Sequence, residues 1–218
     1  MTTAAPATTA PPATGPCSGS GAIPAGATNL HAIHGDIDGD LHNDTVTSYT
    51  LGGVPHIHAA LHIGQNSDVA IPLGFADTVS ISFEDFDHSA GAAVPPPVAV
   101  LAIGAGNAGS AHLAFLTLTT HYCIKQWTLN GTNFEIRISQ QGPYTGLLCD
   151  GAAGHVFYSV VTAEQQPRGN WLIKQSVITH NFTKVTLTPQ APQTVPDSPD
   201  IAHQYGDIVN CDHAPVLS

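Results

Sequence analysis

The chain has 218 residues, of which only 10% are charged, and five Lys or Arg face sixteen Asp or Glu. The net charge of −11 argues against a nucleic-acid or anionic-membrane surface. With 21 Gly, 17 Pro and many β-branched residues, the composition favours an all-β, turn-rich protein over a helical one.

Residues 1–28 are dominated by Ala, Thr, Pro and Gly. This composition cannot bury enough apolar surface to offset the entropy lost on ordering, so a disordered tether is predicted. No apolar signal sequence follows Met1 and no segment is long enough to span a bilayer. We expect an extracytoplasmic protein, secreted or attached to the cell surface, whose export signal is not present in this chain.

The most acidic stretch is residues 35–44, where Asp36, Asp38, Asp40 and Asp44 fall within nine positions and no Lys or Arg is near. Four carboxylates so close together raise one another's pKa unless a cation lies among them. Ca²⁺ accepts six to eight oxygen ligands in a tolerant geometry. The sequence therefore predicts a structural Ca²⁺ bound by these four side chains and the backbone carbonyl of His42. The alternative is a solvated acidic turn.

The loop is not an EF-hand, because the twelfth position, which needs Glu, is Thr47. Its Gly-Asp-Ile-Asp-Gly-Asp segment resembles the calcium loop of FG-GAP and VCBS-type repeats, which occur in integrin α-chain propellers and in secreted bacterial proteins. The resemblance implies a loop that ends one strand, binds Ca²⁺ and leads into the next strand, here from Asp44. Leu41 stands where the family usually has Gly, which implies a looser loop. A weaker form of the same acidic motif occurs at residues 83–87, where no full ion site is expected.

Three histidines in residues 56–63 share one parity, so a strand places His56, His58 and His62 on one face and Ile57, Ala59, Leu61 and Ile63 toward the core. The histidine face is either a polar outer face or a zinc or copper site built on His56 and His58. The third ligand of such a site would come from a neighbouring strand, with three candidates: His31, His34 and His42.

Short alternating or apolar segments predict about 10–12 antiparallel strands and little helix. The predicted strands are Asn29–Ile33, Asp44–Leu51, His56–Ile63, Val69–Leu73, Thr78–Phe83, Val98–Ile103, Ala111–Leu118, His121–Leu129, Asn133–Ser139, His155–Thr162, Asn170–Thr179 and Phe182–Leu187. Asn130-Gly131 predicts a type I′ hairpin between 124–129 and 134–138. We expect a β-sandwich or a partial propeller-like stack over residues 29–188, followed by an irregular tail over 189–218.

Four cysteines are present, and an even number in a chain of extracytoplasmic character predicts two disulfides. Of the three pairings, we favour Cys123 with Cys149 and Cys17 with Cys211. The second bond would tie the head of the chain to its tail. Four buried thiols are the alternative.

No nucleophile elbow, His-Glu-x-x-His, Gly-rich phosphate loop or Ser-x-x-Lys motif is present, so no catalytic residue is predicted. The resemblance implies a non-catalytic calcium-binding β domain that acts as a surface binding or scaffold module, with a protein or cell-surface ligand as its partner. The two alternatives are a His-rich zinc- or copper-binding protein and a hydrolase of unknown substrate.

Overall fold

The computed structural model describes residue 17 and residues 21–71, 79–84, 99–105, 110–119, 121–152, 155–181 and 183–209. Within these residues the chain forms seventeen strands and one short helix, α1 (Ile201–Tyr205). Twelve of the strands have at least five residues, and the other five have two or three. The prediction of an all-β protein with antiparallel sheets is confirmed.

The first sheet is a four-stranded antiparallel meander in which each strand pairs with the next along the chain. Its strands are β1 (Thr28–Gly35), β2 (Asp44–Leu51), β3 (Val54–Ala60) and β4 (Asn66–Ala70). The predicted strand at 44–51 has the observed bounds. The meander leaves β1 and β4 as its two edge strands.

The second sheet has thirteen strands. They are β5 (Val79–Glu84), β6 (Ala99–Ala105), β7 (Ser110–Leu118), β8 (Ile124–Gln126), β9 (Thr128–Leu129), β10 (Thr132–Asn133), β11 (Glu135–Ser139), β12 (Tyr144–Ala152), β13 (His155–Gln165), β14 (Trp171–Asn181), β15 (Lys184–Pro189), β16 (Gln193–Val195) and β17 (Ile208–Val209). The main order is β10-β9-β15-β14-β13-β12-β11-β7-β6-β5, with β8 beside β7, β16 beside β14 and β17 beside β12.

Strand β7 joins two hydrophobic cores because its side chains alternate between the two faces of the sheet. Leu113 and Phe115 pack into a core with Trp127. Ala114 and Leu116 point the other way, into a core shared with the inner face of the first sheet. These four side chains are all fully buried. The first sheet therefore packs on β5–β8 in a sandwich-like arrangement.

The Asn130-Gly131 hairpin has the predicted turn, with both residues at positive φ (53° and 82°) and Leu129 opposite Thr132. The predicted pairing of residues 124–129 with residues 134–138 on either side of this turn was wrong. β11 pairs with β7 instead of continuing the hairpin, and the predicted strand over 121–129 is split into β8 and β9. The break falls at Trp127, whose ring is fully buried against Phe115.

The C-terminal segment is more regular than expected, because β16, α1 and β17 pack on the second sheet. Gly146 explains both this docking and the failure to predict β12. A Cβ at position 146 would lie 2.6 Å from the carbonyl oxygen of Asp207, so the tail approaches β12 only because the residue is Gly. Because Gly lowers the strand propensity of a sequence, the residues of β12 did not show a strand pattern.

The favoured disulfide pairing is wrong, because Cys17 is bonded to Cys123, with Cα atoms 5.3 Å apart. Cys149 is also disulfide-bonded, and Cys211 lies outside the described residues. The Cys17–Cys123 bond links residues 106 positions apart. It ties a residue of the predicted tether to the turn before β8, a contact that sequence spacing does not encode.

None of the helices in the described part of the chain has the length and apolar composition needed to cross a bilayer.

Candidate functional site

The acidic loop spans residues 36–43, between the end of β1 and the start of β2. Its first residue follows Gly35, which lies against the ring of Phe83 in β5. A Cβ at position 35 would lie 2.7 Å from that ring, so a larger residue at this position would force the Phe83 ring to shift. The loop therefore starts beside the second sheet. It leads into β2 at Asp44, and this strand was predicted from the sequence.

Three of the predicted ligands lie together. Asp36, Asp38 and Asp40 each offer a carboxylate oxygen, and these oxygens lie within 4.8 Å of one another. The three residues are half-buried, and no other group of this kind occurs among the described residues. The sequence has no Lys or Arg before Lys125. The loop and the first sheet that carries it therefore contain no Lys or Arg.

Hydrogen bonds to backbone amides hold these carboxylates in place. Asp36 accepts from the amides of Gly39 (2.7 Å), Asp40 (3.2 Å) and Leu41 (2.8 Å). Asp38 accepts from the Asp40 amide (3.1 Å), and Asp40 accepts from the amide of His42 (2.8 Å). The chain therefore curls around its own acidic side chains. A carboxylate has about four lone-pair sites, so each group retains the capacity to bind a cation.

The electrostatics of the loop also favour a cation. Burial raises the pKa of the Asp38 carboxyl above its usual value, and the negative charges of Asp44, Asp40 and Asp36 raise it further. The hydrogen bond from the Asp40 amide lowers this pKa and partly offsets the increase. A positive ion among these carboxylates would remove the repulsion.

The other two predicted ligands are engaged differently. Asp44 is 1% exposed, and its two carboxylate oxygens accept hydrogen bonds from the amides of Ile37 (3.0 Å) and His62 (2.8 Å). It therefore joins the start of the loop to the segment after β3. The His42 ring stacks on His62 with centroids 4.2 Å apart. Ca²⁺ coordination by Asp44 and by the His42 carbonyl remains a prediction.

The histidine strand does not present the polar outer face that was one of the two interpretations of its sequence. Ile57, Ala59 and Leu61 are buried as expected, but His58 is only 6% exposed and does not lie on a solvated face. β3 ends at Ala60, so His62 lies beyond the strand and the Ile63 side chain is 49% exposed. The strand stops early because the chain turns at Gly64, where φ is +82°.

Asp68 is the residue that sequence reasoning missed. It lies opposite His58 in β4, and its carboxylate is 2.8 Å from Nδ1 of His56 and 3.6 Å from Nδ1 of His58. The Tyr49 hydroxyl donates a hydrogen bond of 2.6 Å to the same carboxylate. The candidate third ligands for a metal at His56 and His58 lie elsewhere: His34 contacts Thr45, His42 stacks on His62, and His31 lies opposite Ser48.

Burial raises the pKa of the Asp68 carboxyl, but hydrogen bonds from His58, Tyr49 and His56 outweigh burial and lower this pKa below its usual value. Asp68 is therefore an ionised carboxylate at neutral pH. Burial, followed by the hydrogen bond to Asp68 and the charge of Asp68, raises the pKa of Tyr49 above its usual value.

Leu41 adopts a left-handed backbone conformation, with φ of +70°, and its side chain is 80% exposed. We expect Leu41→Gly to raise the free energy of unfolding by about 0.5–1 kcal/mol, because relief of this strain exceeds the added chain entropy. Chemical denaturation of the calcium-free protein measures the change. Leu41→Ala is the matched control, since it removes the same exposed side chain but keeps Cβ. Equal effects of Gly and Ala would contradict the strain argument.

Comparison with known proteins finds no matching family model, no matching curated protein and no matching solved structure. The resemblance to FG-GAP and VCBS-type repeats therefore rests on the loop residues alone and stays a prediction.

Proposed function

We propose that the chain is an extracytoplasmic, non-catalytic β domain that binds one structural Ca²⁺ at the acidic loop of residues 36–43 and the adjoining Asp44. The observation that carries the proposal is the approach of the Asp36, Asp38 and Asp40 carboxylates to within 4.8 Å of one another. Three half-buried acids this close repel one another unless a cation is bound. The repulsion is strongest where the local sequence offers no Lys or Arg, as here.

The chemistry of the donors favours calcium over other metals. The clustered ligands are carboxylate oxygens, which suit hard cations such as Ca²⁺ and Mg²⁺. Mg²⁺ demands near-ideal octahedral geometry, whereas Ca²⁺ tolerates the irregular set that a turn of alternating Asp residues provides. Calcium is also abundant outside cells, where disulfides such as Cys17–Cys123 persist.

The bound ion would stabilise the fold instead of performing chemistry. The loop connects β1 to β2 and begins at Gly35, which packs against Phe83 of the second sheet. An ion that binds only the folded state fixes this junction and adds its binding free energy to stability. The domain would then serve as a surface binding or scaffold module for a protein or cell-surface ligand.

The alternative is a zinc or copper site at His56 and His58, and the carboxylate of Asp68 supplies the observation that favours it. These side chains do not form a compact ligand group, however, since the clustered acids of the loop are the one such group among the described residues. Calcium at the loop is therefore the better-supported function.

Isothermal titration calorimetry with Ca²⁺ tests the proposal. We expect one Ca²⁺ per chain and binding at least about tenfold weaker in Asp38→Ala, because affinity follows the number of charged ligands. Asp200→Ala is the matched control, since Asp200 is exposed, lies in the C-terminal segment and carries the same charge. Equal binding by wild type and Asp38→Ala, or no binding at millimolar Ca²⁺, would contradict the proposal. Zn²⁺ binding lost in His56→Ala but retained in Asp38→Ala would favour the alternative.

A further inference from the structure

A cavity of about 520 Å³ lies against the second sheet, and residues of six strands line it, β9–β13 and β15. Five of the described lining residues are apolar: Leu129, Phe134, Ile136, Val160 and Leu187. The volume lies within the range typical of small-molecule sites. None of the described lining residues belongs to the acidic loop or to the first sheet, so the cavity is separate from the proposed calcium site.

The five apolar side chains belong to one continuous core. Phe134 and Ile136 are buried members of the hydrophobic cluster that contains Trp127, and the other three pack against this cluster while only partly buried. Among the described residues, four partly buried apolar side chains pack on this cluster, and three of them line the cavity. The cavity is therefore an apolar extension of the core, with a wall that the chain leaves partly uncovered.

The charged lining residues, Glu135 and Arg137, point away from this wall. In the register of β11 and β7, Glu135 lies opposite Ala114, whereas Ile136 lies opposite Leu113. Ala114 packs into the core shared with the first sheet, and Leu113 packs into the core that borders the cavity. Residues directly opposite each other in a sheet share a face, and successive residues alternate between faces. The two charges therefore lie on the far face of β11.

Two threonines supply polar groups on the cavity side. Thr132 lies opposite Leu129 in the β9–β10 hairpin, so their side chains share a face. Thr145 lies two residues before Leu147, a member of the same core, and therefore shares its face of β12. Thr145 is half-buried, whereas Thr132 is exposed. The Thr132 hydroxyl thus lies toward the open side of the cavity.

We infer that the cavity binds a small amphipathic molecule whose aliphatic chain packs on Leu129, Val160 and Leu187 and whose uncharged polar group lies near Thr132. Water is a poor occupant of the apolar wall, because an ordered water needs about two to four polar partners. An aliphatic chain is instead stabilised when it covers this wall. An uncharged hydroxyl group can exchange hydrogen bonds with the Thr132 hydroxyl. This activity goes beyond calcium binding.

Calorimetric titration of the full, disulfide-bonded chain tests the inference with 1-hexanol, 1-octanol and 1,8-octanediol as probes. We expect 1-octanol to bind about tenfold more tightly than 1-hexanol, because two more CH₂ groups are buried. The diol should bind about tenfold more weakly than 1-octanol, since its second hydroxyl would lie against the apolar wall without a partner. Absence of alkanol binding, equal binding of the two alkanols, or equal binding of the diol would overturn the inference.

Two variants locate the site. Leu187→Trp places an indole ring in the cavity, so 1-octanol should bind at least about tenfold more weakly. Thr186→Trp is the matched control, because Thr186 is the exposed neighbour of Leu187 on the same strand and does not line the cavity. Its affinity for 1-octanol should equal that of the wild type. Equal loss of binding in the two variants, or unchanged binding in Leu187→Trp, would overturn the assignment.

A measurement on the wild-type chain locates the site without any substitution. Intermolecular NOEs should connect the chain protons of 1-octanol with the methyl groups of Leu129, Val160 and Leu187, which line the cavity. NOEs from 1-octanol only to residues outside the cavity would overturn the assignment.

Discussion

Breaking the Cys17–Cys123 disulfide with Cys17→Ala is expected to lower the free energy of unfolding by about 2–5 kcal/mol. The bond joins residues 106 positions apart, so its loss releases a long loop in the unfolded chain, and the entropy gained grows with loop length. Cys17 is half-buried whereas Cys123 is 7% exposed. Replacing Cys17 therefore removes the bond with the least disturbance of packing.

Differential scanning calorimetry under oxidising conditions measures this effect, and we expect the melting temperature to fall by on the order of 10 °C. The double variant Cys17→Ala, Cys123→Ala controls for exchange between the freed Cys123 thiol and the remaining disulfide. It should melt close to the single variant. A melting temperature equal to that of the wild type would show that the bond does not constrain the fold.

Replacing Asp44 by Ala is expected to destabilise the calcium-free protein by about 2–5 kcal/mol. The Asp44 carboxylate accepts hydrogen bonds from the amides of Ile37 and His62, and it is almost fully buried. Ala would leave two donors without their partner, and an unsatisfied buried group costs about 1–3 kcal/mol. Denaturant unfolding in the presence of a chelator measures the change.

Asp38→Ala is the matched comparison, because it removes a carboxylate from the same loop. Asp38 accepts a single backbone hydrogen bond and is repelled by its neighbours, so its loss should change calcium-free stability by less than about 1 kcal/mol. Stability should thus depend mainly on Asp44 and calcium binding mainly on Asp38. Equal destabilisation by the two substitutions would contradict this division of roles.

The features that the sequence predicted well are local in the chain. The strand from Asp44 to Leu51 follows from a β-branched run, and the Asn130-Gly131 turn follows from residues that tolerate positive φ. The approach of Asp36, Asp38 and Asp40 is also local, since alternate residues of one tight turn point toward its centre. Each depends on fewer than about ten consecutive residues, within the reach of pattern rules.

The features that were missed depend on contacts between distant segments. The bond between Cys17 and Cys123 joins residues 106 positions apart, and β12 depends on a C-terminal segment that packs on Gly146 from more than fifty residues away. The hydrogen bond from the His62 amide to the Asp44 carboxylate likewise joins residues 18 positions apart. No local pattern encodes these positions.

The histidines of β3 show that the alternation of side chains along a strand predicts which residues share a face but not whether that face is exposed to solvent. Alternation correctly separated Ile57 and Ala59 from His56 and His58, yet it could not tell whether the second face is solvated. The answer came from β4, whose Asp68 covers that face together with Tyr49 of β2. Asp68 follows His62 by six residues, after a turn that contains Gly64, and it pairs with His58 across the two strands. This spacing is the sequence signal that could have indicated the cluster.

A crystal structure of the protein grown with Ca²⁺, with the ion identified by anomalous scattering, tests the central claim most directly. We predict one Ca²⁺ in the loop, with oxygens of Asp36, Asp38 and Asp40 at about 2.3–2.6 Å from the ion. An empty loop at millimolar Ca²⁺, or an ion bound only at His56, His58 and Asp68, would contradict the claim.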